Sequence, residues 1–406
     1  MKDAKKVELL APAGNMEKLK IALYFGADAV YMGGHNFSLR QYSQNFSHEE
    51  IFEAAQYTHN LGKKLYVAVN IFARDHDFDQ LEEYLKILQE AKVDAVIVSD
   101  LGVLDLVLKN TRLDVHISTQ ANTTNARAID FYANLGVKRV ILARELTLKE
   151  IQNIKKNLTK DIELEAFVHG AMCISYSGRC LLSNFFTGRD SNRGECAQSC
   201  RWDYILYQKT KPDKELIINQ DAKGTYILNS KDLNMLNHLD KLVQAGISSF
   251  KIEGRMKTAY YVATIVNAYR RALDCLANNQ KIHEDILQEP YKTSHREFTT
   301  GFYFSNPEEC YSSSRTIQSY DFAAIVKDYD NGKALVEQRN RFEIGDELEI
   351  LSPGDTFLKT IKVQKMQDSG GQPIMVADRV QQEVIIYTDL KLITGDILRK
   401  KQRILD

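Results

Sequence analysis

The chain has almost no net charge: its 53 lysines and arginines face 54 aspartates and glutamates, a formal −1 at pH 7 over 406 residues. A protein that grips a polyanion with its whole surface is thereby excluded, so nucleic acid would have to meet a local basic patch. Long hydrophobic runs are missing as well. No stretch approaches the ~18 apolar residues of a membrane span. The charged start, Met1-Lys2-Asp3-Ala4-Lys5-Lys6, lacks the apolar core of a secretory signal. A cytoplasmic protein with no membrane partner is expected. Six cysteines are too few for a disulfide framework in a chain of this length. Three signatures are also absent. No Gly-x-Gly-x-x-Gly follows a strand-like run, which argues against a dinucleotide turn. Without His-Glu-x-x-His, zincin chemistry has no ligands, and without Gly-x-Ser-x-Gly there is no nucleophile elbow.

What is present is a large apolar fraction, 44%, enough for a big core plus a smaller one. From Val7 to about Lys257 one pattern recurs: an amphipathic helix, a glycine or small residue, then a short apolar run. Leu135-Gly136-Val137-Lys138-Arg139-Val140-Ile141-Leu142 and Ala245-Gly246-Ile247-Ser248-Ser249-Phe250-Lys251-Ile252 are examples. The glycine suits a helix C-cap at positive φ, and the apolar run suits a buried parallel strand. Eight such strands are expected near 7–11, 29–33, 65–70, 95–99, 115–118, 139–143, 163–168 and 249–252. They predict an α/β fold, a TIM-like (β/α)8 barrel over residues 1–278, with a doubly wound open sheet as the alternative. Polar residues follow most of these strands: Asn70, Ser99-Asp100, Ser118 to Asn122, Arg144-Glu145, His169 and Glu253-Gly254-Arg255. Barrel active sites are built at that rim. A helix from about Thr258 to Ala277 carries one apolar face (Val262, Ile265, Val266, Tyr269, Leu273, Leu276), with Cys275 as packing. Residues 279–321 read as an irregular linker. Short alternating runs over 322–406, with Asp330-Asn331-Gly332 as a turn, predict a small C-terminal β-barrel domain.

Between the seventh and eighth strands the spacing breaks, and an insertion, 170–244, holds Cys173, Cys180, Cys196 and Cys200 in the pattern C-x6-C-x15-C-x3-C. Four clustered thiols suit an iron–sulfur cluster or tetrahedral zinc, and the wide first pair disfavours a zinc knuckle. A cluster without metal stays open on spacing alone. Arg179, Arg189 and Arg193 lie among the cysteines and would favour thiolates or an anionic ligand.

The run Glu165-x-Phe167-Val168-His169-Gly170-Ala171-Met172-Cys173-x-Ser175-Tyr176-Ser177-Gly178-Arg179-Cys180-Leu181-Leu182-Ser183 closely resembles the signature of the family catalogued as peptidase U32, or collagenase-like protease. Further blocks extend the resemblance over nearly the whole chain: Leu9 to Gly14, Ala27 to Gly34, Ser230 to Leu233, Lys251 to Lys257 and Ser294 to Phe302. The resemblance implies more than a fold. Members related to bacterial tRNA and rRNA hydroxylation proteins hold an iron–sulfur site on these cysteines. They are implicated in placing oxygen on C5 of a pyrimidine, with prephenate as a required metabolite. Length and the C-terminal domain make the chain similar to the tRNA uridine branch, which acts at the wobble position. By that resemblance Cys173, Cys180, Cys196 and Cys200 would ligate a [4Fe–4S] cluster, zinc being the alternative. tRNA would be the partner, together with a second protein of the same family. Glu165, His169 and Glu253 are the proton-transfer candidates. Arg255 and Lys257 suit the carboxylates of prephenate or an RNA phosphate, and Arg179 joins them in substrate binding. Tyr176 and Trp202 would either stack on a base or pack. The terminal Arg399-Lys400-Lys401-Gln402-Arg403 would either grip tRNA or form a solvated tail. Two other functions compete: a peptidase using a cysteine with His169 or His116 as base, and an iron–sulfur RNA-binding accessory without catalysis.

Overall fold

Polar caps and glycine stops divide the N-terminal part into alternating strands and helices in the computed structural model, which describes residues 7–35, 37–39, 45–202, 220–221, 224–225, 230–304 and 316–402. Asn15 starts α1 (Met16–Tyr24), and Ser47 and Thr147 start α2 (His48–Asn60) and α6 (Leu148–Asn157) with reciprocal capping boxes to Glu50 and Glu150. Between them lie α3 (Phe78–Glu90), α4 (Leu101–Asn110) and α5 (Ala126–Asn134); α7 (Leu239–Gln244) and α8 (Ala259–Ala277) follow. Gly136 and Gly246, just past α5 and α7, have φ of 96° and 90°. A side chain would strain both turns, which is why the recurring glycine marks the point where a helix hands over to a strand.

The strands are β1 (Glu8–Pro12), β2 (Ala29–Gly33), β3 (Lys64–Val69), β4 (Ala95–Val98), β5 (Asp114–Ile117), β6 (Arg139–Ile141), β7 (Glu163–Ala171) and β8 (Ser249–Ile252). They pair in parallel in chain order, and β8 pairs with both β7 and β1. That double pairing closes the sheet into a barrel and excludes the open alternative. β7 runs on to Ala171, beyond its expected end, because Asp232–Asn234 adds antiparallel to it, and Phe298–Thr299 adds to that strand in turn. Ladder hydrogen bonds, invisible to local periodicity, extend it.

The expected linker is partly ordered secondary structure. It carries the helix Glu284–Gln288 and the strand Phe298–Thr299. Buried ion pairs hold it: Arg296 donates to Asp232 at 2.6 and 3.0 Å. The strands beyond it form an antiparallel half-barrel. β9 (Tyr320–Asp330) turns at Asn331-Gly332 into β10 (Lys333–Gln338), both turn residues having positive φ, as a tight hairpin requires. β11 (Glu347–Leu351), β12 (Glu383–Tyr387) and β13 (Ile397–Lys401) flank them in the order β11-β13-β9-β10-β12.

This second sheet explains why α8 is buried on more than the one expected face, from Ala259 through Tyr269. The Tyr260 ring stacks on Phe322 of β9, and Arg271 donates to the carbonyls of Ser352 and Gly354 at 2.9 Å. Arg399 and Lys400 form neither tail nor basic grip. Arg399 is fully buried in β13 and donates to both oxygens of the equally buried Glu289, at 2.8 and 2.7 Å, while Lys400 pairs with Asp346. The strand pairing pulls Arg399 inward, while Lys401 and Gln402 stay exposed. Arg403 and the charged N-terminal hexapeptide lie outside the described residues.

Removing Glu289 would strand a buried guanidinium. Glu289→Ala is expected to cost about 3–5 kcal/mol, and Glu289→Gln less. Urea unfolding followed by circular dichroism checks this; a loss below about 1 kcal/mol would show that water reaches Arg399 after substitution.

Candidate active site at the barrel mouth

The cysteine segment leaves the C-terminal end of β7 and folds back over the rim. Ser177 is its first anchor: its N–H and hydroxyl donate to Glu145, and its hydroxyl accepts from the Arg144 N–H at 3.2 Å. Arg193 is the second, its guanidinium bidentate on Asp77 at 2.8 and 2.9 Å and donating to the Phe72 carbonyl. That guanidinium holds the Asp77 carboxyl down to about 2. Asn192 clamps Cys180 from both sides, donating to its carbonyl and accepting from its N–H. Short helical turns, Leu182–Thr187, Ser191–Arg193 and Ser199–Arg201, carry the chain between cysteines.

All four thiols are free, half-buried and face one cavity of about 240 Å³ at the barrel mouth. The backbone N–H groups of Leu182 and Gln198 donate to the sulfurs of Cys180 and Cys196 at 3.3 and 3.4 Å, contacts that stabilise thiolates and tune metal–sulfur centres. Burial pushes the Cys200 thiol up to about 11, with Cys173, Cys196 and Cys180 adding to it. Four thiolates this close repel one another, and a cationic centre among them would remove that cost. Among the described residues no set of three or more such side chains is arranged to hold a metal ion. The four are gathered around a cavity rather than closed onto a point.

The rest of the cavity wall is cationic. Arg144, Arg201, Lys251, Arg255 and Lys257 line it, with Asn70, Gln120 and Gln198 as amides and Phe167, Leu39 and Ile141 as apolar floor. Glu253 is the one carboxylate lining it among the described residues, and its Oε2 accepts from Tyr31 at 3.3 Å. Of the residues nominated from sequence, Glu253, Arg255, Lys257 and the four cysteines therefore meet in one place. Three do not. Glu165 is fully buried beneath the cavity, holding Lys251 at 2.8 Å and Arg139 at 3.1 Å. Arg179 lies outside, donating to the Gln120 carbonyl and stacking on Phe72. His169 is buried behind β7 among Tyr261, Tyr269 and Phe298. Arg189 and Arg193 brace the segment through the Glu195 carbonyl and Asp77. Sequence reasoning missed Lys251 and Arg201. The available signal for Lys251 was a lysine inside an otherwise apolar strand run.

Peptidase family U32 matches residues 14–313, and the family's C-terminal domain matches residues 318–399. The chain belongs to peptidase family U32. Curated relatives of the U32 chain carry different names. It is 41% identical over 410 residues to tRNA hydroxylation protein P1 of Bacillus subtilis, covering 98% of this chain and 95% of that one. It is 34% identical to tRNA hydroxylation protein P of Escherichia coli, covering 95% of each. A protein of Porphyromonas gingivalis named collagenase is 32% identical, over 85% of this chain and 86% of its own. Among the described residues of the U32 chain, no helix is long and apolar enough to cross a membrane.

Burial holds the His169 imidazole down to about 3 and His116 well below the usual histidine range. Folded, both stay neutral; unfolded, each takes a proton below about pH 6.5, so stability rises with pH between about 3 and 6.5. Each such histidine contributes a slope of about 1.4 kcal/mol per pH unit. His169→Gln, which can still bond Tyr269, is expected to flatten the urea-unfolding pH profile by one proton's worth. An unchanged slope would mean that the ring is charged when folded.

Proposed function

We propose that this U32 chain is an iron–sulfur-dependent enzyme that hydroxylates tRNA at C5 of the wobble uridine, with prephenate as co-substrate. The observation that carries the reading is the convergence of four free thiols on one cation-lined cavity at the catalytic end of a (β/α)8 barrel. The names of the relatives at 41% and 34% identity supply the substrate class. A cysteine peptidase would need a thiol beside an imidazole. No histidine lines the cavity among the described residues, and His169 and His116 are buried elsewhere.

Cys173, Cys180, Cys196 and Cys200 would hold a [4Fe–4S] cluster, and two N–H···S hydrogen bonds fit that donor set. Bound there, the cluster would supply one-electron chemistry at the cavity edge. The chain's own residues do the rest. Asn70 and Gln120, joined at 2.9 Å, present amides for the edge of a base. Glu253 Oε1 or Oε2 is the atom placed to take a proton from the reacting ring. Lys251, kept in place by Glu165, holds positive charge beside it. Arg255 is fixed by Ser38 and Asn45 and adds charge without freedom to move.

Anaerobically purified protein is expected to be brown and to contain about four irons and four sulfides. Cys173→Ala should lower that content. Nucleoside mass spectrometry of tRNA from a deletion strain should show loss of 5-hydroxylated wobble uridine, restored by the wild-type gene and not by Cys173→Ala. Unaltered wobble uridine in the deletion strain would sink the reading, as would a colourless protein that cleaves peptides. Glu253→Gln is expected to slow turnover roughly 10²–10⁴-fold with the cluster retained; turnover within threefold of wild type would remove Glu253 from proton transfer.

A further inference from the structure

Among the described residues five cations line the cavity, and their partners differ in one respect. Lys251 donates to Glu165, Arg255 to Ser38 and Asn45, Lys257 to the Ser294 carbonyl and Arg201 to Gln198. Each is held by a protein oxygen. Arg144 is the exception: its guanidinium has no hydrogen-bond acceptor among the described residues, and its Nε, like that of Arg255, is buried without a partner. A buried guanidinium N–H left without an acceptor is costly, so such groups are usually reserved for something that arrives.

The surroundings of Arg144 show what could arrive. Its guanidinium lies 5.6 Å from the Phe167 ring centre, and Lys251 Nζ lies 5.6 Å from the same centre. Two cations thus lie against one aromatic ring. Gly178 of the cysteine segment lies over Arg144 and Gln120: a Cβ there would sit 3.8 Å from Arg144 Nη2 and 3.5 Å from Gln120 Nε2. Its φ of 88° follows Ser177 at 43°, two successive left-handed residues that bring the backbone down over the guanidinium. The enclosure suits a small acid bearing a ring. A phosphodiester enters with a sugar on each side and would need an open groove, whereas Gly178 of the cysteine segment closes over Arg144 Nη2.

We infer that Arg144 is the anchor for a carboxylate of a small ring-bearing organic acid, whose ring lies on Phe167 and whose second polar end faces Lys251. The sequence-based candidates Arg255 and Lys257 shape the cavity's charge, and Arg144 makes the directional contact. Its planar fork matches a carboxylate with two N–H donors, which a lysine cannot reproduce. The inference deepens the proposed function by naming the residue that holds the co-substrate, and it rests on that reading of the cavity.

The test is calorimetric titration of the cluster-loaded protein with prephenate, without tRNA, in parallel with phenylpyruvate and inorganic phosphate. Wild type is expected to bind the two acids and to ignore phosphate. Arg144→Met should raise the Kd for prephenate roughly 10–100-fold. Arg144→Lys should recover only part of that loss, and binding of a tRNA anticodon stem-loop should change less than threefold. Thermal melting of both variants guards against misfolding; should Arg144→Met melt early, Arg144→Lys alone decides. A Kd within twofold of wild type in a folded variant overturns the anchor and leaves the hydroxylase reading intact. Binding of phosphate and of neither acid also overturns it. Loss of tRNA hydroxylation is read separately by mass spectrometry, so failure of the anchor and failure of the function stay distinct.

Discussion

The carboxylate of Glu165 is the constraint around which the barrel interior is organised. It is fully buried and shared by Arg139 of β6 and Lys251 of β8, with Ser249 adding a weaker contact. Arg139 also reaches Glu8 of β1, and Tyr66 of β3 donates to the same Glu8. Five strands are thereby tied through one charged layer. Such a layer is not a source of stability relative to a well-packed apolar one, because desolvating the ions offsets their attraction. What it confers is position. Lys251 can stand in a low-dielectric barrel, 4.4 Å from the Tyr31 ring centre and facing the cavity, because Glu165 balances it from below.

Above that layer, the cysteine segment is held by its attachments rather than by a core of its own. Its apolar side chains Leu181 and Phe185 are exposed, at 77% and 82%. Order comes from polar staples: Ser177 on Glu145, Arg193 on Asp77, Asn192 on Cys180. A segment built this way can set four sulfurs around a cavity without closing them, which leaves the last adjustment to whatever they bind. The same logic places the proton-handling groups. His169 is excluded from the cavity by three aromatic neighbours and kept neutral, whereas Glu253 follows the register shift at Lys251/Ile252 and turns toward the mouth. A bulge re-aims side chains in this manner at many sites next to active centres.

The C-terminal half-barrel bears on the site only indirectly. It packs on α8, whose N-terminal end follows the Glu253 to Lys257 turn, and the Arg399–Glu289 pair fixes the connecting segment between them. Tyr24 of α1 donates to Asp396, so the sheet also touches the opposite side of the first βα unit. Its contacts therefore brace the two elements that flank the β8–β1 closure.

Local pattern alone determined the eight strands, the helices between them, the hairpin at Asn331-Gly332 and the cluster of cysteines, because periodicity, caps and glycine stops are properties of neighbouring residues. The motif from Glu165 to Ser183 also sufficed for the family. Tertiary structure decided the rest. Only barrel closure could show that Glu165 lies under the cavity and Glu253 within it, since both are acids at strand ends. Only packing could bury Arg399 of the basic terminal run in a strand, seal His169 behind aromatic rings, or leave one of five cavity cations, Arg144, without an acceptor among the described residues. Those outcomes depend on which groups from distant parts of the chain arrive at the same point, and a charge says nothing about its partner until the partner is in place.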